Sequence, residues 1–527
     1  MSLDWTCPYP SQRPAVFASN VVASSQPLAT QAGLATLRAG GNAVDAAIAT
    51  AITLTVVEPN NNGIGSDAFA LVWDNKRLHG LNASGKSPQG WSTEHFQRYR
   101  TMPTTGWDTV TIPGAVSAWV TLSERFGRLA FDRLFEHAIH YAREGFQVGP
   151  KTGPFWQHAV EQFSDQPGFI DTFASQGRAP AIGSRATLPD HADTLAEIAA
   201  TGEASFYRGR LAKLMVADSQ RHGGVMALSD LVDHRCQWVE PIKQELAHCQ
   251  LHEIPPNGQG LMALIALGIL KRLAPGSCEV DSAASVHLQI EAMRLAYADM
   301  ERHLADPAFM LHPTETFLDD AYLDERAAMV DPDKANPTPT ALGSSPDTVY
   351  LTTADQSGMM VSMIQSNYQG FGSGIVVPGT GISLQNRGSG FTLETGHPNQ
   401  VAGGKRPFHT IIPGFVTRQG EALMSFGVMG GHMQAQGHLQ MMVRICLHSQ
   451  NPQAASDAPR WHLREDGVVC LEEGFDAAVA EGLKQRGHQI RFNNPQHLFG
   501  GAQLIYKMES GYCAGSDHRK EGQAAGF

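Results

Sequence analysis

Hydrophobic positions from Ala29 to Arg38 recur at helical spacing, and Gly40 with Gly41 supplies the left-handed residue that commonly ends a helix. A second helix is predicted to start at once. Asn42 can cap it, Asp45 sits at its third position near the positive dipole end, and AAIATAITLTVV is apolar on nearly every face, as a central helix would be. Further helices are expected at Ala130 to Glu144, Thr194 to Ala200, Leu211 to Arg221, Gly260 to Leu273 and Ala284 to Leu304, divided by Gly and Pro. Near Pro332 the pattern changes: DPDKANPTPTALGSSPD, with four prolines and almost no large apolar side chain, reads as an exposed linker. Directly after it, TVYLTTA at Thr348 to Ala354, the turn residues DQSG and MMVSMIQSNY alternate as a β-hairpin does. Strands near Ile411 to Val416, Ala422 to Phe426, Val468 to Leu471 and Gln503 to Lys507 then alternate with helices at Gln434 to Leu447 and Ala477 to Arg486. The expected class is mixed α/β, without repeats. A helix-rich part, residues 1–347, and a β-rich part, residues 348–527, are expected to fold together as one unit.

Composition narrows the chemistry. Charged residues are 17% and hydrophobic residues 42% of the 527, which excludes disorder and coiled coil. Lys+Arg 39 against Asp+Glu 51 gives a net charge of −12, so no field attracts a phosphate backbone and nucleic acid is excluded as a partner. The longest apolar runs, such as LMALIALGIL, stop short of the roughly 18 residues a membrane span requires. The start, MSLDWTCPYPSQRP, has neither a basic nor an apolar leader region, and a cytoplasmic location is expected. Seven scattered cysteines without a CxxC pair read as buried thiols.

A flexible linker that runs straight into a strand-opening hydroxyl residue has a chemical use. Cutting the Asp347–Thr348 bond would give Thr348 both a nucleophilic hydroxyl and a free α-amine of ordinary pKa about 7.7 to 8.0, so one residue would be nucleophile and general base. A plain surface linker ahead of a hairpin fits the spacing as well.

TVYLTTADQSG, FGSGIVVPGTGISLQNRGSGF, KRPFHTIIP, GVMGG and DAPRW occur in the order and spacing of the γ-glutamyltranspeptidase family. Upstream, GGNAVDAAIA, EPNNNGIGSDAF, TIPGAVSAW, PPNGQG and HLQIEAMRLAYAD resemble segments of that family's large subunit, so the likeness spans roughly Val22 to Gly515. The resemblance implies an N-terminal nucleophile hydrolase fold, a four-layer αββα sandwich matured by self-cleavage between Asp347 and Thr348, with the two fragments held as a heterodimer that is open to further dimerisation. It implies Thr348 as the nucleophile, Gly430 and Gly431 as the N–H donors of the oxyanion hole, and Ser366 as the hydroxyl supporting the nucleophile. Neither metal nor other cofactor is implied.

The pattern departs from the transpeptidases where they read glutamate. The arginine and aspartate that hold the donor's α-carboxylate and α-ammonium align with Ser84, within NASGKSP, and Gly390, within QNRGSGF. Arg387 instead falls where the family usually has an uncharged or acidic residue, and the tandem serines become His409 and Thr410. An arginine fork binds a carboxylate bidentately, whereas nothing left in the motif welcomes an ammonium. Arg387, His409, Thr410, Asn367 and Asp67 are therefore assigned to binding an amide that bears a carboxylate but no α-amine. The segment Phe391 to Lys405 is shorter than a transpeptidase lid, so hydrolysis is expected to outrun transfer. LQNRGSGF and RPFHTIIP look most like the non-classical branch that includes oxamate amidohydrolases of purine breakdown and cephalosporin-acylase-like proteins. Oxamate to oxalate plus ammonia is the preferred reaction; γ-glutamyl hydrolysis or transfer, a glutaryl-acylase-like amidase and an unprocessed binding scaffold are the alternatives. Glu136, His137, His140 and Glu144 share a helical face but read as solvated, and the glycines of GFGSGIVVPGTG lack the Lys-Ser/Thr pair of a phosphate loop.

Overall fold

The computed structural model describes residues 13–166, 168–336 and 348–527. Cys7, Asp347 and most of the proline-rich linker lie outside the described residues. The helix predicted after Asn42 runs Ala43–Val57 and is buried along its whole length. Its start is reciprocal: the Asp45 N–H donates to Asn42 Oδ1 at 3.0 Å, and the Asn42 N–H donates to Asp45 Oδ2 at 2.9 Å. The helix before it, Pro27–Arg38, stops short of Gly40, whose φ of +95° suits glycine.

Two seven-stranded antiparallel sheets occupy the centre. One runs in the order Gln523–Gly526, Val21–Ser24, Val349–Ala354, Met360–Ser366, Asp67–Trp73, Leu78–Asn82, Gln237–Val239. The other runs Val16–Ala18, Tyr512–Ser516, Gly501–Lys507, Glu421–Met429, Gly414–Arg418, Cys249–Glu253, Ile242–Leu246. They face each other across a core that includes Phe69, Leu71, Tyr350, Ile364, Phe415 and Ile505. Helices Pro27–Arg38, Ala43–Val57 and Ala115–Phe126 cover the outside of the first sheet, and Gly260–Arg272, Met433–Met442 and Pro452–Asp457 cover the second. This is a four-layer αββα sandwich, and each sheet draws strands from both sides of Thr348.

Several expectations need correction. Residues 1–347 supply strands to both sheets, including Asp67–Trp73, which is buried on both faces and so shows no alternation. The helix expected over Ala130 to Glu144 is a 3₁₀ turn, Phe131–Phe135, followed by an α-helix, Glu136–Glu144. The strand expected from Ile411 starts only at Gly414, where a Cβ would meet the Phe426 ring at 2.8 Å. The helix Met433–Met442 passes into a π-turn, Val443–Leu447, rather than running on as α-helix. Of the six described cysteines, Cys249, Cys470 and Cys513 are buried, but Cys236, Cys278 and Cys446 are only partly so. Among the described residues no helix is long and apolar enough to cross a membrane.

Candidate active site

Thr348 opens the strand Val349–Ala354 and is 1% exposed. The register Val349 to Gln365 sets it opposite Ser366, and their hydroxyl oxygens are 3.2 Å apart. Ser366 is in turn the cross-strand neighbour of Asp67, so Thr348, Ser366 and Asp67 form a row across three adjacent strand ends. The Tyr368 N–H donates to Ser366 Oγ at 2.8 Å, which fixes the middle hydroxyl of that row.

The glycine pair comes from the opposite sheet. Across the core, Thr352 Oγ1 lies 2.5 Å from Ser425 Oγ, and a Cβ on Gly427 would strike the Tyr350 ring at 2.4 Å. These contacts step in opposite senses along the facing strands, a progression that leads toward Thr348 on one strand and Met429 on the other. Gly430 and Gly431 have φ of +115° and +57°, and a Cβ on Gly430 would lie 3.0 Å from the Gly500 Cα. Their carbonyls are fixed by the helix they lead: the Met433 N–H donates to Gly430 O at 2.9 Å and the Gln434 N–H to Gly431 O at 3.1 Å. Gln259 Nε2 also donates to Gly431 O, at 2.8 Å. Because the peptide is planar, turning the Gly430 carbonyl into the helix turns the Gly431 N–H the other way.

Arg387 lies in the 3₁₀ turn Arg387–Gly390 with no exposed surface. Nη1 donates to Thr410 Oγ1 at 2.9 Å, and the guanidinium carbon sits 4.3 Å from the centre of the Tyr368 ring. Among the described residues, Nε and Nη2 are buried without a hydrogen-bond partner. Among the described residues no carboxylate lies within ion-pair distance of it; Asp67 acts on it only as a nearby charge. Burial lowers its pKa to about 10, which leaves it cationic near neutrality.

Burial shifts the surrounding groups toward their uncharged forms. Asp67 accepts the Gly114 N–H at 3.1 Å, and its other oxygen lies 3.1 Å from His409 Nε2. Burial raises the Asp67 pKa to about 7, although Arg387 pulls it down. His409 is held well below the usual imidazole range by burial and by Arg387, so it donates from Nε2 as a neutral ring while Nδ1 accepts the Ile411 N–H at 3.4 Å. His432, stacked on Phe408 at 5.7 Å, is pushed down to about 4 by the same two causes.

Asn367 has a different position from the other proposed substrate contacts. Its amide accepts the Ser66 hydroxyl at 2.7 Å and donates to Ser383 Oγ at 3.3 Å, so it ties together the loops around the row. Ser84 and Gly390 carry no charge; Ser84 Oγ donates to Asn82 Oδ1 at 2.7 Å, and a Cβ on Gly390 would meet Phe408 O at 2.6 Å. Tyr368, Asn257 and Gln259 were not singled out from the sequence. Asn257 Nδ2 donates to Pro407 O at 2.8 Å and Gln259 Nε2 to Thr410 O, which seats Thr410 under Arg387. The signal for Tyr368 was its place two residues past Ser366, where the alternation stops and φ becomes +79°.

Two other clusters have metal-ligand residue types. On Glu136–Glu144, Glu136 pairs with Arg133 on an exposed face. His287, Glu291 and His488 are buried together, but His287 is hydrogen-bonded to His488 and to Asp331 O, and Glu291 to Arg294 and the Asn336 N–H. With those atoms engaged and an arginine adjacent, the cluster is poorly suited to a cation.

The family model described as Gamma-glutamyltranspeptidase matches residues 29–527. The chain is 33% identical to the glutathione hydrolase-like YwrD proenzyme of Bacillus subtilis, over 96% of this chain and 98% of that one. It is 34% identical to the oxamate amidohydrolase proenzyme of Klebsiella pneumoniae, over 95% and 97%. The solved cephalosporin acylase from Bacillus halodurans superposes with a TM-score of 0.95 at 44% identity, covering 100% of this chain and 99% of that one. The chain belongs to the gamma-glutamyltranspeptidase family and is an amidohydrolase with the N-terminal nucleophile hydrolase fold.

Proposed function

We propose that the chain cuts itself before Thr348 and then hydrolyses a small amide that bears a carboxylate, with oxamate to oxalate plus ammonia as the preferred reaction. The observation that carries this reading is Arg387, a fully buried cation with two N–H nitrogens that have no partner among the described residues, beside the Thr348 row. Buried charges are ordinarily paired, and here the missing partner is an anion of the ligand. The neutral His409 and the half-titrated Asp67 offer no strong site for an ammonium.

In the reaction, the freed Thr348 amine takes the hydroxyl proton while Oγ1 attacks the amide carbon. The N–H groups of Gly430 and Gly431 receive the oxyanion, and Ser366 steadies Oγ1. The protonated amine then delivers its proton to the leaving nitrogen, ammonia departs, and water attacks the remaining ester. Residues 1–347 and 348–527 act as one heterodimer, and a cytoplasmic location is part of the same reading.

Ammonia release from oxamate, a glutaryl amide and a γ-glutamyl amide tests the substrate. Oxamate is expected to be hydrolysed fastest; faster turnover of the γ-glutamyl amide, with transfer to an added amine, would overturn the reading. A glutaryl-type acylase is the second reading, favoured by the 44% identity to the cephalosporin acylase and by the same need for a carboxylate-binding arginine.

Ligand affinity should carry a pH signature. Asp67, whose pKa is about 7, is neutral below that value and leaves Arg387 free for an anion; above it, the carboxylate competes with the ligand, and binding requires a proton to return. Oxalate affinity measured by calorimetry should be flat below about pH 6 and fall by up to roughly tenfold per pH unit above 7. Asp67→Asn should flatten the curve. A wild-type affinity that rises with pH would be incompatible with this arrangement.

A further inference from the structure

Away from the Thr348 row, a surface cavity of about 380 Å3 is lined by three thiols, Cys249, Cys446 and Cys513, together with Arg418 and Tyr506. Phe17 and Met508 stand at its edge with 69% and 42% exposure, so the cavity opens to solvent. Cys249 begins the strand Cys249–Glu253 and Cys446 lies in the π-turn Val443–Leu447. Cys249 and Cys446 are close enough to shift each other's titration, and Cys446 Sγ is 3.9 Å from Met442 Sδ. Cys446 and the Arg418 charge hold the Cys249 pKa below the usual thiol value, while Cys249 and burial push the Cys446 pKa up. Two neighbouring thiols on the wall of one cavity, one with a lowered pKa, and a mouth open to solvent are the parts of a dithiol that can close.

We propose that Cys249 and Cys446 form a modification site, at which a small disulfide closes a covalent bond between the segments before and after Thr348. The Cys249 thiolate attacks one sulfur of the small disulfide and expels the other half as a thiolate, leaving a mixed disulfide. Cys446 gives up its proton and attacks the Cys249 sulfur, expelling the second half. Two protein S–H groups and one small disulfide thus become one protein disulfide and two small thiols, and two electrons pass to the oxidant. The positive Arg418 favours a carboxylate-bearing oxidant such as glutathione disulfide.

The position gives the bond leverage on the active site. The strand that begins at Cys249 leads to Asn257 and Gln259, which hold Pro407 O, Thr410 O and Gly431 O. The helical run that reaches Cys446 starts at Met433, just after the glycine pair. Closing the bond would join the supports of the anion site and the oxyanion glycines.

The test incubates the purified protein with glutathione disulfide and maps its peptides without reduction. A cross-linked pair containing Cys249 and Cys446, lighter by two hydrogens and abolished by dithiothreitol, is expected, with Tm raised by a few degrees. Cys446→Ser should leave Cys249 as a stable glutathione adduct, and Cys249→Ser should leave Cys446 largely unmodified. Both thiols remaining free, separate adducts on both in the wild type, or cross-linking through Cys513 instead would overturn the proposal, and the wild-type map alone decides it if a variant fails to fold. That the bond joins two chains rests on the proposed cleavage. On a non-reducing gel the matured fragments should then run together, whereas failure of cleavage shows as one band even under reduction, and the peptide map reads the bond in either case.

Discussion

Thr348→Ala is expected to persist as one uncut chain and to lose about 10^3-fold or more of its amidase activity, because the same hydroxyl serves cleavage and turnover. Thr348→Ser keeps an oxygen within reach of Ser366 and should both mature and turn over, more slowly. N-terminal sequencing of the small fragment reads the cut directly. A fragment beginning anywhere but Thr348, or cleavage that survives in the alanine variant, would remove Thr348 from the mechanism. His409 is already committed to Asp67 and Ile411.

Arg387 should account for the next largest loss. Arg387→Ala removes the cation that an incoming carboxylate would meet, at an expected cost of about 2 to 5 kcal/mol in kcat/KM. Arg387→Lys should recover only part of this, since an ammonium cannot both bond Thr410 and lie flat on Tyr368 while offering two parallel donors. Self-cleavage should survive both changes because it engages a peptide carbonyl rather than a free carboxylate. Oxamide, the neutral diamide, is the decisive comparison. If the wild type hydrolyses oxamide as well as oxamate, or if the alanine variant loses both in proportion, Arg387 supports the fold instead of reading charge.

What was legible beforehand follows from which forces are local. The Asn42–Asp45 cap and the hairpin at Thr348 depend on residues within a few positions of each other, and both were readable as pattern. Asp67–Trp73 was not, because a strand covered by a helix layer on one face and a second sheet on the other has no polar side to mark its period. Arg387 stood out as a misplaced charge, yet its meaning depends on partners far along the chain: Asp67 is 320 positions away and Thr410 is 23. For Tyr368 the end of the alternation two residues past Ser366 is a weak signal, because its two contributions, a backbone N–H to Ser366 and a ring face to Arg387, depend on a left-handed φ that no side-chain pattern announces. The π-turn at Val443–Leu447 was missed because its apolar residues fit α-helical spacing equally well.

The strand that starts at Thr348 is interior to its sheet, bonded on one side to Val21–Ser24 and on the other to Met360–Ser366. Severing the chain at its head would therefore create a terminus without releasing a strand. The new amine would emerge already immobilised, having little orientational freedom left to lose before chemistry begins. Dilution, which separates ordinary two-chain complexes, would have little purchase here, since parting the fragments means unzipping both sheets down their middle. Maturation would be a one-way event, and the lifetime of the association would equal the lifetime of the fold.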